Sequence, residues 1–126
     1  MEKVRIEGVP EPKGHYSPAV VHNGLIFVSG QLPMNHATGE VETGAIEKQT
    51  EIALRNVEAI LTAAGSDLNQ VLQMTIYVSE MDDWGKVNEV YKRILGEHKP
   101  ARAIVPVKTL HFGTQIEIQA IATVKE

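Results

Sequence analysis

The sequence contains no cysteine, so disulfide bonds, thiolate metal sites and a cysteine nucleophile are excluded. Long apolar runs are also missing near the start of the chain. The first residues, from Glu2 to Ile6, mix both signs of charge and cannot serve as a signal peptide or a membrane span. We therefore expect a cytoplasmic protein with no membrane partner.

An excess of positive charge is absent as well. The formal net charge is -4, aromatic residues make up only 5% of the chain, and no segment interleaves basic with aromatic residues. Non-specific affinity for nucleic acid depends on neutralising phosphates with lysine and arginine. The composition therefore argues against a nucleic-acid partner.

Several common catalytic patterns are missing too. The five histidines form no i, i+4 pair and no His-x-His pattern, so we expect no metal site. Ser29 lacks the glycine two residues earlier that a nucleophile elbow needs. The chain also has neither a phosphate-binding glycine-rich loop nor a dinucleotide fingerprint. Covalent serine catalysis and a nucleotide cofactor are therefore not expected.

The residues that are present describe an ordinary globular protein. A length of 126 residues, 43% of them hydrophobic and 22% charged, predicts one domain spanning 1–126. Apolar residues at helical spacing predict helices over 45–64 and from about 82 to 96, with Ser79 or Asp82 capping the second. Alternating patterns predict five strands, at 19–21, 25–29, 71–79, 102–107 and 115–124. The Asn23-Gly24 pair predicts a hairpin between the first two.

Two helices cannot cover both faces of such a sheet, so we expect them to pack together on one face. In the strand at 71–79 the buried face is expected to carry Leu72, Met74, Ile76 and Val78. The opposite face of the sheet is expected to carry Thr75, Tyr77, Ile121 and Thr123. That mixture suits either a half-polar surface in water or a contact between subunits, and we expect the chain to oligomerise.

Arg102 is the most informative single residue, because it interrupts the apolar run from Pro100 to Val105. A guanidinium presents a rigid fork of donors that matches a carboxylate, and no acidic residue lies at a local spacing to occupy it. Arg102 is therefore a candidate site for an acidic ligand. The alternative is that it pairs with an acid of its own fold or reaches solvent from an edge strand.

Two further polar residues stand among apolar neighbours. Glu117 lies between Ile116 and Ile118; it either faces water or, at a subunit contact, becomes a partly desolvated carboxylate with a raised pKa that suits a general base. Asn88 shares a helix face with apolar residues. Its amide is expected either to cap a nearby loop carbonyl or to contact a ligand.

Five segments together resemble the RidA/YjgF family. They are Phe27-Val28-Ser29-Gly30-Gln31-Leu32-Pro33, Thr38-Gly39-Glu40, Val87-Asn88-Glu89-Val90-Tyr91, Lys99-Pro100-Ala101-Arg102 and Ile116-Glu117-Ile118-Gln119-Ala120-Ile121-Ala122. The resemblance runs in order from about Gly14 to the C-terminus. It implies an α+β fold like that of chorismate mutase, with a mixed β-sheet and two helices on one face. It also implies a homotrimer whose sheets form a central barrel, with ligand clefts between subunits.

The resemblance also implies a function. Members of this family hydrolyse reactive enamines and imines, such as 2-aminoacrylate, to 2-keto acids and ammonia, and need no cofactor. By resemblance, Arg102 binds the substrate carboxylate and Glu117 activates water. Tyr16 and Ser29 then line the cleft as further catalytic residues, while the ligand-binding residues are Gly30, Asn88 and Ile104, the last through its backbone.

Three positions depart from the family pattern: His15 replaces a proline, Ile104 stands where many members have cysteine, and Gln119 replaces a second glutamate. An amide at 119 can orient water but cannot act as a general base. None of the three removes Arg102 or Glu117. A second hypothesis is a trimeric protein that binds small acids or has a regulatory role, with the same cleft but little catalytic activity.

Overall fold

The computed structural model describes all 126 residues. Its two α-helices are α1 (Ile46–Ala63) and α2 (Trp84–Leu95). Its six strands are β1 (Glu2–Lys3), β2 (Ala19–His22), β3 (Leu25–Gln31), β4 (Val71–Val78), β5 (Ala101–Pro106) and β6 (Ile116–Thr123). Every predicted helix and strand is present, and the two-residue β1 is the one strand that was not expected.

The strands form one sheet in the order β1-β2-β3-β6-β4-β5. All neighbouring pairs are antiparallel except β4 and β5, which are parallel and are joined through α2. A parallel pair needs such a crossover, because a tight turn can only reverse the chain. The fold is thus α+β with a mixed sheet, as predicted. In the β2–β3 hairpin, Asn23 and Gly24 have φ angles of 51° and 77°, the conformation that the Asn-Gly pair predicts.

Both helices pack on one face of the sheet, where the core lies. α1 contacts β3, β6 and α2, and a single cluster of 23 buried hydrophobic residues fills the space between the layers. Its largest fully buried members include Ile26, Leu54, Ile76 and Ile118. Burying one such side chain contributes roughly 1.5 to 3 kcal/mol, so this layer supplies most of the driving force for folding. Neither helix is both long enough and apolar enough to cross a membrane.

Two sequence predictions were wrong in detail. The cap of α2 is neither Ser79 nor Asp82: a 3-10 turn over Met81–Asp83 precedes the helix, and Asp83 at the N-cap makes no side-chain hydrogen bond to it. In β4, Leu72 is 49% exposed and Val71 is buried in its place. The register of β4 against β6 shifts between Val71 and Gln73. Alternation of buried and more exposed side chains therefore holds from Met74 to Val78 but not at Leu72.

The other face of the sheet is left open within one chain. Phe27 is 43% exposed there, and Tyr77 and Ile121 are half-buried beside Glu117 and Gln119. We call this surface the open face. It carries the mixture of polar and apolar side chains that the sequence predicts.

Candidate functional site

Arg102 lies on β5, the edge strand, and its side chain extends to α2. One of its terminal amino groups donates a hydrogen bond of 2.9 Å to Oδ1 of Asn88. The guanidinium carbon lies 4.7 Å from the ring centroid of Tyr91 and 5.6 Å from that of Trp84, both within the range of cation–π attraction. These three α2 side chains orient the guanidinium without neutralising it.

Arg102 has no acidic partner in this fold. The four ion pairs involve Arg5, Arg55, Arg93 and Lys125 instead. Pairing of Arg102 with an acid of its own chain, the plainer alternative, is therefore wrong within one subunit. Its donors beyond the bond to Asn88 are free for a ligand.

Asn88 does not cap a loop carbonyl, which was the more ordinary expectation for its amide. Its oxygen accepts the bond from Arg102, so Asn88 restrains the orientation of the guanidinium. Trp84, Asn88 and Tyr91 follow one another at i, i+4 and i+7, the spacing of one helix face. That spacing could have identified the two aromatic residues as the support of an arginine, although it is more often a core pattern.

Tyr91 is a structural part of this cluster. It is 7% exposed, and its hydroxyl has no hydrogen-bond partner. Burial raises the pKa of Tyr91, and the positive charge of Arg102 opposes that rise. The ring supports the guanidinium from the core side. Ile104, also on β5, turns its half-buried side chain toward the core, which leaves only its backbone for a ligand.

Glu117 lies on β6, at the centre of the sheet between β3 and β4. Its neighbours Ile116 and Ile118 are fully buried on the helix side, so strand alternation directs Glu117 to the open face. The carboxylate packs directly over Gly30 of β3. A Cβ at residue 30 would overlap its Oε2 and lie 2.9 Å from its Cδ. Only glycine leaves this space free.

Gly30 belongs to an irregularity in β3. The register against β6 shifts between Val28 and Gln31, so Ser29 and Gly30 form a bulge in the ladder. Bulges often occur beside functional sites because they redirect the chain locally. This one brings a bare backbone segment beneath the Glu117 carboxylate.

The electrostatics of Glu117 fit a proton acceptor. Burial raises its pKa above the usual value, and the positive charge of His111 opposes part of that rise. His111 sits in the short turn before β6, where Phe112 has a positive φ of 61°. No motif pointed to His111, because its proximity depends on this turn. It is the one charged neighbour of Glu117 that sequence reasoning missed.

Ser29 and Tyr16 lie at the same end of β3. The Ser29 hydroxyl donates a hydrogen bond of 2.6 Å to the carbonyl of Ser17, which ties the bulge to the loop that carries Tyr16. Tyr16 is 56% exposed, and its ring packs against Gly14. The proton of Ser29 is thus held by backbone, and Tyr16 is presented to solvent.

The predicted site residues therefore form two groups. Arg102, Asn88 and Ile104 lie at β5 and α2, on the helix side of the sheet. The second group lies at β3 and β6 and comprises Tyr16, Ser29, Gly30 and Glu117. Because Arg102 contacts α2 and Glu117 faces away from the helices, one chain does not bring the two key residues together. No group of three or more histidine and acidic side chains converges as a metal site would require.

Comparison with known proteins gives a consistent set of similarities. The family model described as Endoribonuclease L-PSP matches residues 7–124. A RutC family protein of Pyrococcus horikoshii is 45% identical over 121 residues, which cover 96% of each chain. The 2-iminobutanoate/2-iminopropanoate deaminase of Rattus norvegicus is 40% identical over 113 residues, covering 90% of this chain and 82% of that protein. The crystal structure of E. coli TdcF with bound serine has a TM-score of 0.91 and 32% identity, covering 99% of this chain and 100% of that one.

Proposed function

This chain belongs to the YjgF/RidA family, the one described as Endoribonuclease L-PSP, and from that premise we propose that it hydrolyses reactive 2-imino acids to 2-keto acids and ammonia. The observation that carries the proposal is the guanidinium of Arg102, oriented by Asn88 and two aromatic rings yet unpaired with any carboxylate of the chain. The deaminase names of mammalian relatives support the same reaction.

The first step is binding of the substrate carboxylate. The imine tautomers of 2-aminoacrylate and related enamines carry a carboxylate next to the C=N carbon, and the fork of Arg102 can bind it with two parallel hydrogen bonds. Asn88 occupies one donor and thereby restricts how the guanidinium can rotate. The bound carboxylate then fixes the position of the adjacent C=N carbon.

The second step is attack by water. Glu117 accepts a proton from water while the oxygen adds to the C=N carbon, and the nitrogen takes up a proton as it becomes an amine. The amine then takes up a second proton while the new hydroxyl group loses its own, so breaking the C–N bond releases ammonia and leaves the C=O group of the 2-keto acid. The raised pKa of Glu117 makes the carboxylate a stronger base. Imines already hydrolyse in water, so fixing the carboxylate and aligning one water against the C=N carbon can supply much of the acceleration.

The two groups of residues must meet for this mechanism, and we propose that they meet between subunits of a homotrimer. The open face, with its exposed Phe27 and half-buried Tyr77 and Ile121, supplies an apolar contact surface. A second copy that covers this face can bring its own Arg102 to Glu117. Each cleft would then contain residues of two chains.

Light scattering at micromolar concentration should give about three times the chain mass of 13.8 kDa. A mixture of Arg102→Ala and Glu117→Gln chains, refolded or coexpressed at equal amounts, should also regain activity, because roughly a quarter of the clefts in a random trimer contain both native residues. Refolding each variant alone is the control. A stable monomer, or no regain of activity in a mixed oligomer, would contradict the shared cleft.

The reaction itself is tested by generating 2-aminoacrylate or 2-iminobutyrate in a coupled assay. Release of the keto acid should be faster with the purified protein than without it. If no small imino acid is turned over while keto acids still bind, the function is binding rather than hydrolysis.

RNA cleavage, which the family description names, is less well supported by a chain with a net charge of -4 and no basic cluster.

Replacing Gly30 by alanine should lower turnover on the order of 10-fold, because the new methyl group displaces the Glu117 carboxylate from the position where it aligns water. The fold should survive, since the group that must move is the end of a flexible side chain. Gly85→Ala on α2 is the matched control, because a Cβ there meets nothing within 4 Å. Steady-state kinetics and thermal melting of both variants check this result. Unchanged kinetics in Gly30→Ala would mean that the contact has no role in turnover.

A further inference from the structure

A buried amide lies directly behind the bulge that carries Gly30. Gln31, the last residue of β3, is 3% exposed. Its Nε2 donates a hydrogen bond of 3.0 Å to the carbonyl of Ser29, and its Oε1 lies 2.9 Å from Nε2 of His36. An amide oxygen can only accept, so His36 must carry its proton on Nε2 in this arrangement. Gln31 thus links the bulge to the next loop.

His36 lies in the wall of a cavity of about 590 Å³ between the N-terminal segment, the 33–43 loop and α1. Burial lowers the pKa of His36, which favours the neutral ring. The loop is attached to α1 by Asn56, whose Nδ2 donates to the carbonyls of Leu32 at 3.1 Å and Met34 at 2.8 Å. The loop that carries His36, the hydrogen-bond partner of Gln31, is therefore attached to α1.

Val28 and Gln31 pair with β6 on either side of the bulge, and Ser29 makes two other hydrogen bonds outside this ladder. The Ser29 amide donates to the carbonyl of Pro18 at 2.9 Å and the Ser29 hydroxyl donates to the carbonyl of Ser17, so both bonds reach the segment before β2 that carries Tyr16. Gln31 donates the one side-chain hydrogen bond that the Ser29 carbonyl accepts, and this bond attaches the carbonyl to the interior. Since Glu117 rests on Gly30, the next residue, any shift of this peptide moves the surface beneath the carboxylate.

We propose that Gln31 is a positioning residue for Glu117, and that His36 holds Gln31 in the orientation this requires. The chain of contacts runs from α1 through Asn56 and the 33–43 loop to His36, then through Gln31 and the Ser29 carbonyl to Gly30 and the carboxylate. This inference deepens the proposed function, because it rests on Glu117 acting as the base.

Gln31→Leu keeps the volume but removes both hydrogen bonds, so turnover should fall roughly 10-fold, as it does when the supports of an active residue are lost. The KM should change little, because Arg102 lies on the other side of the sheet. His36→Leu should show a smaller loss of the same kind. His36→Gln retains an amide donor and should restore turnover toward the wild-type value.

A readout independent of activity separates this inference from the proposed function. The titration of the Glu117 carboxyl, followed by ¹³C NMR, should shift in Gln31→Leu and His36→Leu but not in His36→Gln. The other titratable groups facing Glu117, His111 before β6 and Tyr77 opposite it on β4, are unchanged in all three variants. A wild type without deaminase activity would refute the proposed function alone.

The inference fails on either of two results. One is an unaltered Glu117 titration in both leucine variants, which would make Gln31 a structural residue only. The other is an equal loss of turnover in His36→Leu and His36→Gln, which would show that the hydrogen bond is not what His36 supplies. If Gln31→Leu does not fold, the two His36 variants still decide the question, because His36 is only half-buried.

Discussion

Replacing Glu117 by glutamine is expected to slow imine hydrolysis by about 100- to 10,000-fold, the usual contribution of a positioned general base. Glutamine has nearly the same shape but cannot accept the proton from water at neutral pH. The remaining rate would come from orientation of the substrate in the cleft. Single-turnover and steady-state kinetics with 2-iminobutyrate measure the loss, while calorimetry with 2-ketobutyrate should show that binding survives.

The same Glu117→Gln variant should be more stable than the wild type, although it is less active. Burial raises the folded-state pKa of Glu117 above its unfolded value. A carboxyl group of this kind stabilises the folded state at pH values below the pKa that it has in the unfolded chain. That contribution is lost as the pH rises through its pKa in the folded state. Glu117→Gln should therefore melt at a higher temperature than the wild type at neutral pH, with the difference vanishing in acid. Glu97→Gln, an exposed change, is the control.

A Glu117→Gln protein with normal turnover would remove Glu117 from the mechanism.

Arg102→Ala should weaken binding of short 2-keto acids roughly 10- to 150-fold, since a hydrogen-bonded contact to a charged group contributes about 1.5 to 3 kcal/mol. Arg102→Lys retains the charge but not the fork, and is expected to recover only part of the affinity. Calorimetry on the assembled protein measures both variants.

The control for Arg102 is Arg93→Ala. Arg93 also lies at the α2 layer, but it forms an exposed ion pair with Glu51 at 3.2 Å, and exposed pairs contribute little. It should bind keto acids like the wild type. If Arg102→Ala bound them equally well while keeping its oligomeric state, the guanidinium would be a structural group held by Tyr91 and Trp84.

The order and type of the main elements could be predicted because local patterns determine them. The spacing of apolar residues in α1, the alternation in β6 and the Asn23-Gly24 turn each act within a few residues. The prediction that failed, which residue at the start of β4 is buried, depends on a smaller detail of local structure. The irregularity near Val71 exchanges which residue of β4 is buried, and no turn or glycine signal marks it.

The site was predictable in its residues but not in its arrangement. Arg102 and Glu117 stand out because charged groups interrupt apolar strands. Their placement on opposite sides of the sheet depends on strand order and on which face the helices cover, and both are tertiary properties. The nearness of His111 to Glu117 likewise depends on one turn with a left-handed residue at Phe112.

The strand order has a further consequence for motion. Glu117 belongs to a central strand that is hydrogen-bonded on both sides, whereas Arg102 belongs to β5, which has β4 as its only neighbour in the chain. Local opening generally begins at such edges and needs less free energy than opening of central strands. Amide hydrogens of β5 should therefore exchange sooner than those of β6. Under the proposed mechanism, the residue that binds the ligand then lies on a strand that opens readily, and the residue that activates water lies on a strand that opens less often.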